Sequence, residues 1–166
     1  MCGGSQQELT VRGFQGFRTA DDLRATSLTS VPSTQGVYCV LRVSTTSPQF
    51  LSTNPGGKFK GRDPTQTEEW LVKKWIVGAT ILYIGKAGGG SSRETLKRRL
   101  RSYLNFGAGR PCAHWGGRSI WQLADAKDLL FAWRETLPED AVAVERSMLL
   151  RFKREFNRLP FANLRK

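Results

Sequence analysis

The stretch LYIGKAGGGSSRETLKRRLRSY, residues 82–103, combines three features that decide how this chain folds. It begins with apolar residues typical of a β-strand, continues through three consecutive glycines, and ends in a cationic segment. Within and just beyond that segment, Leu96, Leu100 and Leu104 recur at helical spacing, which predicts one buried face. The stretch therefore predicts a strand, a glycine-rich connection and an amphipathic helix over residues 95–105.

The glycine-rich connection does not match a nucleotide-binding phosphate loop. The pattern G-x-x-x-x-G-K-[ST] is absent, and Lys86 precedes the glycines instead of following them. We therefore predict a flexible link between strand and helix. Ser91 and Glu94 have the spacing of a capping box at the start of that helix.

Composition and charge favour a folded protein with a polyanionic partner. The chain has 166 residues, with 26 Lys and Arg against 14 Asp and Glu, a formal net charge of +12. One domain is the simplest interpretation of this length. The clustering of the cations favours nucleic acid over the alternative that the charge serves solubility only. We find no candidate membrane span or signal peptide and expect a cytoplasmic protein; Cys2, Cys39 and Cys112 are too few for a disulfide framework.

Patterns on either side of this stretch predict an α+β protein with a small mixed sheet of three strands. Residues 1–30 form an irregular lead-in with one short helix after Thr19, and residues 31–166 form the main domain. Strands are expected at 37–43, 80–85 and 129–136, and helices at 67–75, 95–105, 118–126 and 140–156.

A segment rich in Ser, Thr, Pro and Gly, residues 44–66, interrupts the domain, and together with the next helix it forms an insertion at about 44–77. Lys58, Lys60 and Arg62 surround Phe59 within it. Cations can bind the phosphates of a nucleic-acid strand, and an aromatic ring can stack on a base. This segment could therefore be a nucleic-acid-contacting flap. A solvated mobile loop is the equally favoured alternative.

One carboxylate lies on an apolar helix face. In the last predicted helix Glu145 falls in a stripe with Val142, Met148, Leu149 and Phe152. An ionised carboxylate is costly to bury unless a cation or a metal meets it. On this observation alone, a structural ion pair with an arginine is favoured over a metal site.

The basic helix carries a second candidate group. Arg99 and Tyr103 are four residues apart and so share a face at the edge of the leucine stripe. A guanidinium at the rim of a core is suited to bidentate contact with a phosphate. Lys97, Arg98 and Arg101 lie on other faces and are predicted to be solvated or to contact nucleic acid, while a packing role is the more frequent fate of a helical tyrosine.

These residues carry a family resemblance. GVY at 36–38 and YIG at 83–85 resemble the paired motifs of the GIY-YIG nuclease superfamily. In the order of that family, Arg99 matches the catalytic arginine, Tyr103 the residue one turn later, and Glu145 the metal-binding glutamate. His114 is similar to a histidine of some members, and Asn163 matches a late asparagine.

The resemblance implies a metal-dependent endonuclease that hydrolyses phosphodiester bonds in DNA with one Mg²⁺ or Mn²⁺ held by Glu145. It implies Tyr38 as the preferred general base, with Lys86 nearby to lower its pKa. It further implies that Tyr83 positions water or phosphate and shares the base role, and that Arg99 stabilises the transition-state charge. Tyr103 and His114 support the site, and Asn163 orients it through hydrogen bonds.

Two other functions use the same residues. A non-catalytic nucleic-acid-binding module would keep the fold and the charge without hydrolysis, and an RNase would use the same site on another substrate. Double-stranded DNA is the preferred partner. Because no separate sequence-reading domain is evident, specificity is assigned to the inserted loop, a homodimer or a partner protein.

Overall fold

The computed structural model describes residues 4–164 and confirms the predicted α+β class, with five helices and four strands in this range. The helices are α1 (Gln6–Val11), α2 (Ala20–Ala25), α3 (Glu68–Lys74), α4 (Leu96–Gly107) and α5 (Ala141–Phe156). The strands are β1 (Gln15–Arg18), β2 (Gly36–Leu41), β3 (Ile81–Ala87) and β4 (Leu130–Glu135). Two short 3₁₀ helices, Arg118–Gln122 and Ala126–Asp128, precede β4.

The sheet differs from the prediction in strand number and direction. It has four strands in the order β1-β4-β2-β3, and every neighbouring pair is antiparallel, so the predicted mixed three-stranded sheet is wrong. The additional strand β1 lies in the predicted irregular lead-in. Residues 1–3 of the lead-in and residues 165 and 166 of the main domain are outside the described residues. At Gly16, with φ of 99°, a Cβ would lie 2.3 Å from the Trp133 ring. Contact with β4, not a local apolar pattern, thus defines this strand.

The sheet separates two apolar clusters. Along β2, Tyr38 and Val40 face one cluster, while Val37, Cys39 and Leu41 face the other. The predicted leucine stripe of α4 is confirmed, because Leu96, Leu100 and Leu104 are all buried in the first cluster. Helix α5 buries Val144, Leu149 and Phe152 in the second. The two helices therefore cover opposite faces, and β3 is an edge strand between them.

Two local predictions need correction. Thr95, not Ser91, caps α4, since its hydroxyl accepts from the Arg98 N–H at 3.3 Å. Val142 is 38% exposed and does not belong to the buried stripe of α5. It lies in the first turn, where its side chain covers Gly89; a Cβ at that glycine would lie 3.0 Å from the Val142 methyl group.

The three glycines form a docked loop in place of the predicted flexible link. All three have positive φ, at 77°, 84° and 57° for Gly88, Gly89 and Gly90. The Gly90 N–H donates to the Asp140 carboxylate at 2.7 Å, which ties the loop to the start of α5. At Gly88 a Cβ would lie 2.7 Å from the Glu94 carbonyl oxygen. Left-handed backbone and close approach explain the glycines.

The inserted segment is packed against the rest of the protein over much of its length. Phe50 stacks on Phe161, the Asn54 amide donates to the Arg118 carbonyl at 2.9 Å, and the Gly57 N–H donates to the Phe106 carbonyl at 2.8 Å. A fully solvated loop is therefore the wrong interpretation of residues 44–66. Within residues 4–164, no helix is both long and apolar enough to cross a bilayer.

Candidate active site

An open cleft of about 350 Å³ lies beside the edge strand β3. Its walls come from β3, the glycine loop, α4 and α5. Because α4 and α5 cover opposite faces of the sheet, Arg99 and Glu145 reach the cleft from the two sides of the β3 edge. The lining residues are Tyr83, Lys86, Gly88, Ser92, Glu94, Arg99 and Glu145.

An aromatic cluster supports the cleft from the sheet side. Tyr38 is fully buried, and its hydroxyl lies 2.9 Å from His114 Nε2. Tyr38 is not among the residues that line the cleft, but its ring centre is 5.9 Å from that of Tyr83, which is. Tyr103 stacks on His114 with ring centres 3.9 Å apart, and its hydroxyl donates to the Gly117 carbonyl at 2.6 Å. The three tyrosines and the only histidine of the chain thus form one buried unit.

Asn163 contacts the site through β3. Its side-chain oxygen accepts from the Ile84 N–H at 3.0 Å, and its amide nitrogen donates to the Ile84 carbonyl at 2.8 Å. These two bonds pair the free edge of β3 as a neighbouring strand would. Asn163 therefore holds the backbone between Tyr83 and Gly85 and does not line the cleft itself.

Close approach of the tyrosines requires two glycines. A Cβ at Gly85 would lie 2.6 Å from the Tyr38 ring, and one at Gly117 would lie 2.4 Å from the Tyr103 hydroxyl. Gly85 belongs to the YIG motif. Gly117, which sequence reasoning missed, has φ of 77° and follows His114 by three residues. The two consecutive glycines at 116 and 117 are the sequence signal that could have indicated this close approach.

Burial controls the electrostatics of this unit. It raises the pKa of Tyr38 well above its ordinary value, and Tyr83 adds to the rise while Arg99 opposes it. Burial likewise raises the pKa of Tyr83, again with Arg99 opposing. The expectation that Lys86 lowers the pKa of Tyr38 is wrong: Lys86 Nζ donates to the Gly88 carbonyl at 3.3 Å, and the opposing cation is Arg99.

Desolvation, reinforced by Arg99, lowers the pKa of His114 to about 3, so the ring is neutral at pH 7. The native pKa lies below the unfolded one, so unfolding takes up a proton at any pH between the two values. The contribution of His114 to the free energy of unfolding should be constant well above pH 6.5 and should fall by up to roughly 1.4 kcal/mol per pH unit below it. Denaturant unfolding of wild type and His114→Gln from pH 7 to pH 5 measures this; equal slopes in the two proteins would contradict a neutral buried ring.

The predicted nucleic-acid-binding cations lie outside the cleft lining. Lys58, Lys60 and Arg62 are exposed in the inserted segment, and Arg98 and Arg101 are exposed on α4, with Lys97 partly exposed. Sequence reasoning missed Ser92 and Glu94, which line the cleft. It also missed Arg42, a buried arginine paired with Asp125 at 2.7 Å.

The cleft contains two carboxylates that could hold one divalent ion. Within residues 4–164, no three His, Cys, Asp or Glu side chains are grouped as a metal cage. Mg²⁺ typically uses one or two carboxylates, with waters and substrate phosphates completing its shell. Glu145, only 8% exposed yet lining the cleft, meets that requirement, and Glu94 lines the same cleft.

Fold and site together define an α+β protein with a tyrosine, arginine and glutamate cleft at a sheet edge. Over 77 residues the chain is 34% identical to UvrABC system protein C of Nautilia profundicola, a match that covers 46% of this chain. The chain spans only 12% of the length of that relative. No protein-family model and no solved structure matches the chain.

Proposed function

We propose that this protein is a metal-dependent endonuclease of the GIY-YIG type that hydrolyses phosphodiester bonds in DNA. The observation that carries the proposal is the convergence of Tyr83, Lys86, Arg99 and Glu145 on one cleft from three separate elements. The net charge of +12 favours a polyanionic substrate. The limited similarity to a UvrABC system protein C is consistent with a nuclease.

The side chains have complementary roles. Glu145 would hold one Mg²⁺ or Mn²⁺, which when bound polarises the phosphate and lowers the pKa of a coordinated water. Arg99 donates to the non-bridging oxygens and stabilises the charge that develops on them. Tyr83 lies in the cleft and orients the attacking water or the phosphate. Tyr103 and His114 hold Tyr38 and Tyr83 in position.

A cleavage assay tests the reaction class. Labelled duplex DNA and RNA are incubated with the protein in Mg²⁺, in Mn²⁺ and in EDTA. We expect DNA to be cut with either metal and not in EDTA. Cleavage of RNA alone would identify an RNase, and binding of DNA without any cleavage would identify a non-catalytic module.

The general base is Tyr38 or Tyr83, with Tyr38 preferred. We expect Tyr38→Phe to lose roughly 10²–10⁴-fold in cleavage rate while keeping DNA affinity, because only the ionisable oxygen is removed. Since burial raises the pKa of both tyrosines, the phenolate fraction, and with it the wild-type rate, should rise about tenfold per pH unit from pH 6 to 9. Single-turnover cleavage across this range is the measurement.

Tyr103→Phe is the matched control, because it keeps the ring that stacks on His114 and removes only a hydroxyl that donates to a backbone carbonyl. If Tyr38→Phe cleaves at the wild-type rate and Tyr83→Phe is inactive, the general base is Tyr83 and not Tyr38. Wild-type rates in both variants would refute a tyrosine base.

DNA binding should be strongly salt-dependent. Two groups of cations outside the cleft are at least partly exposed and available to phosphates: Lys58, Lys60 and Arg62 in the inserted segment, and Lys97, Arg98 and Arg101 on α4. Each phosphate contact adds roughly 0.9 to the slope of log affinity against log salt. Fluorescence anisotropy in EDTA from low to moderate salt measures the slope, and a flat dependence would refute a polyanionic partner.

A further inference from the structure

Two aromatic side chains outside the cleft lining take no part in the proposed chemistry. Phe59, in the inserted segment, and Trp115, after His114, are half-buried, with ring centres 6.4 Å apart and planes inclined by 36°. We call this pair the aromatic platform. Lys58, Lys60 and Arg62 are exposed around Phe59. Arg110 is also exposed, and its carbonyl lies against Gly57, two residues before Phe59.

The platform is held in place by the protein itself. The Arg118 guanidinium lies over the Trp115 ring at 4.3 Å, and its Nη1 donates to the Trp115 carbonyl at 3.2 Å. Phe106 meets Trp115 edge-on, with ring centres 6.3 Å apart. The Gly57 N–H donates to the Phe106 carbonyl and anchors the segment that carries Phe59. The rings therefore keep their positions without a ligand.

The turn after Phe59 carries a cation at an unfavourable position. Phe59 and Arg62 exchange two backbone hydrogen bonds, and the residues between them, Lys60 and Gly61, have φ of 52° and 73°. Turns of this kind prefer Gly, Asn or Asp at both central positions. Lys60 occupies the first, and its Nζ lies 5.4 Å from the Phe59 ring centre. Sparsely populated backbone of this kind is often retained where function requires it.

The platform is continuous with the cleft through residues 113–117. A Cβ at Gly116 would lie 3.3 Å from the Tyr83 hydroxyl, and one at Gly117 would lie 3.0 Å from the Tyr83 ring. Arg99 Nη1 donates to the Ala113 carbonyl at 3.5 Å. Trp115 is therefore the immediate chain neighbour of a residue in contact with Tyr83. A nucleotide that flanks a phosphate bound in the cleft would therefore be close to Trp115.

We infer that the aromatic platform stacks an unpaired base of the DNA strand whose phosphate occupies the cleft. An aromatic ring stacks only on a base whose face is free, and within an intact duplex both faces are covered by neighbouring bases. The surrounding cations bind the flanking phosphates. Asp63, the acid that follows this turn, accepts from the Thr65 N–H at 2.8 Å. This inference rests on the proposed function, and it makes DNA with unpaired nucleotides beside the cut the preferred substrate.

The experiment compares two DNAs of the same sequence length, one fully paired and one with a short unpaired bubble. Binding is measured by anisotropy in EDTA, and cleavage is measured separately in Mg²⁺. The test variant is Phe59→Leu, which keeps an apolar side chain but removes the ring face. The matched control is Phe156→Leu, the same change at a half-buried ring at the end of α5, in the second apolar cluster.

We expect wild type and Phe156→Leu to prefer the bubble DNA, and Phe59→Leu to bind it roughly 5- to 150-fold more weakly, the range for loss of one stacked base. Equal binding of the two DNAs by wild type, or the same affinity in Phe59→Leu, would overturn the inference. An equal loss in Phe156→Leu would also overturn it. A preference for bubble DNA without cleavage would refute the proposed nuclease activity but support the aromatic platform. Cleavage without a preference for bubble DNA would support the nuclease activity and refute the platform.

If Phe59→Leu melts well below wild type, Lys60→Gly is the substitute variant, because glycine suits the positive φ at that position. This change removes the cation over the ring without strain. Bubble binding should weaken, and its salt slope should decrease by roughly 1. An unchanged affinity and slope in Lys60→Gly would overturn the inference.

Discussion

Glu145→Gln should abolish DNA cleavage, with a loss of roughly 10³-fold or more, while DNA binding is retained and the melting temperature is unchanged or raised. The amide has the shape of the carboxylate but lacks the charge needed to hold a divalent ion against a phosphate, a contribution of several kcal/mol. Glu145 is only 8% exposed, so a neutral group also relieves the cost of desolvating a charge. Cleavage, anisotropy and thermal melting with and without Mg²⁺ are the measurements.

Glu155→Gln is the matched control, because it makes the same change at an exposed position of the same helix. If Glu145 were instead one half of a structural ion pair, the substitution would leave a buried cation unpaired at a cost of roughly 3–5 kcal/mol. A large loss of melting temperature with cleavage still measurable would therefore defeat the metal-binding role. Mg²⁺ should raise the melting temperature of wild type and not that of Glu145→Gln.

Arg99→Lys should reduce the cleavage rate by roughly 10²–10³-fold with little change in DNA affinity. Lysine keeps the positive charge but lacks the planar fork that matches two phosphate oxygens at once. The loss should appear in the single-turnover rate at saturating protein, since the interaction strengthens only as charge develops on the phosphate.

Arg101→Lys is the control for this prediction, because it makes the same change on the same helix at an exposed position outside the cleft. Equal rates in wild type and Arg99→Lys would show that any cation at this position suffices. An equal loss in both variants would indicate that the basic surface of α4, and not the cleft, limits the reaction.

Much of the candidate site could be predicted because its residues lie at local spacings. The GVY and YIG motifs place Tyr38 and Tyr83 on two strands, and the leucines of α4 orient Arg99. The pKa values could not be predicted, because they depend on how deeply each group is buried. Lys86 pairs with Val37, the residue before Tyr38, yet the cation that opposes the rise in the Tyr38 pKa is Arg99.

By itself, the sequence determined the α+β class, the α4 stripe and the cleft residues Tyr83, Arg99 and Glu145, since periodicity and motif spacing are local properties. Only the tertiary structure decided that β1 joins the sheet, that the glycine loop docks on Asp140, and that Phe59 meets Trp115. Each of these contacts joins residues more than 45 positions apart, and each depends on complementary surfaces formed by other elements. Pairing of that kind leaves no periodic pattern in either segment, because neither segment is buried until the other is in place.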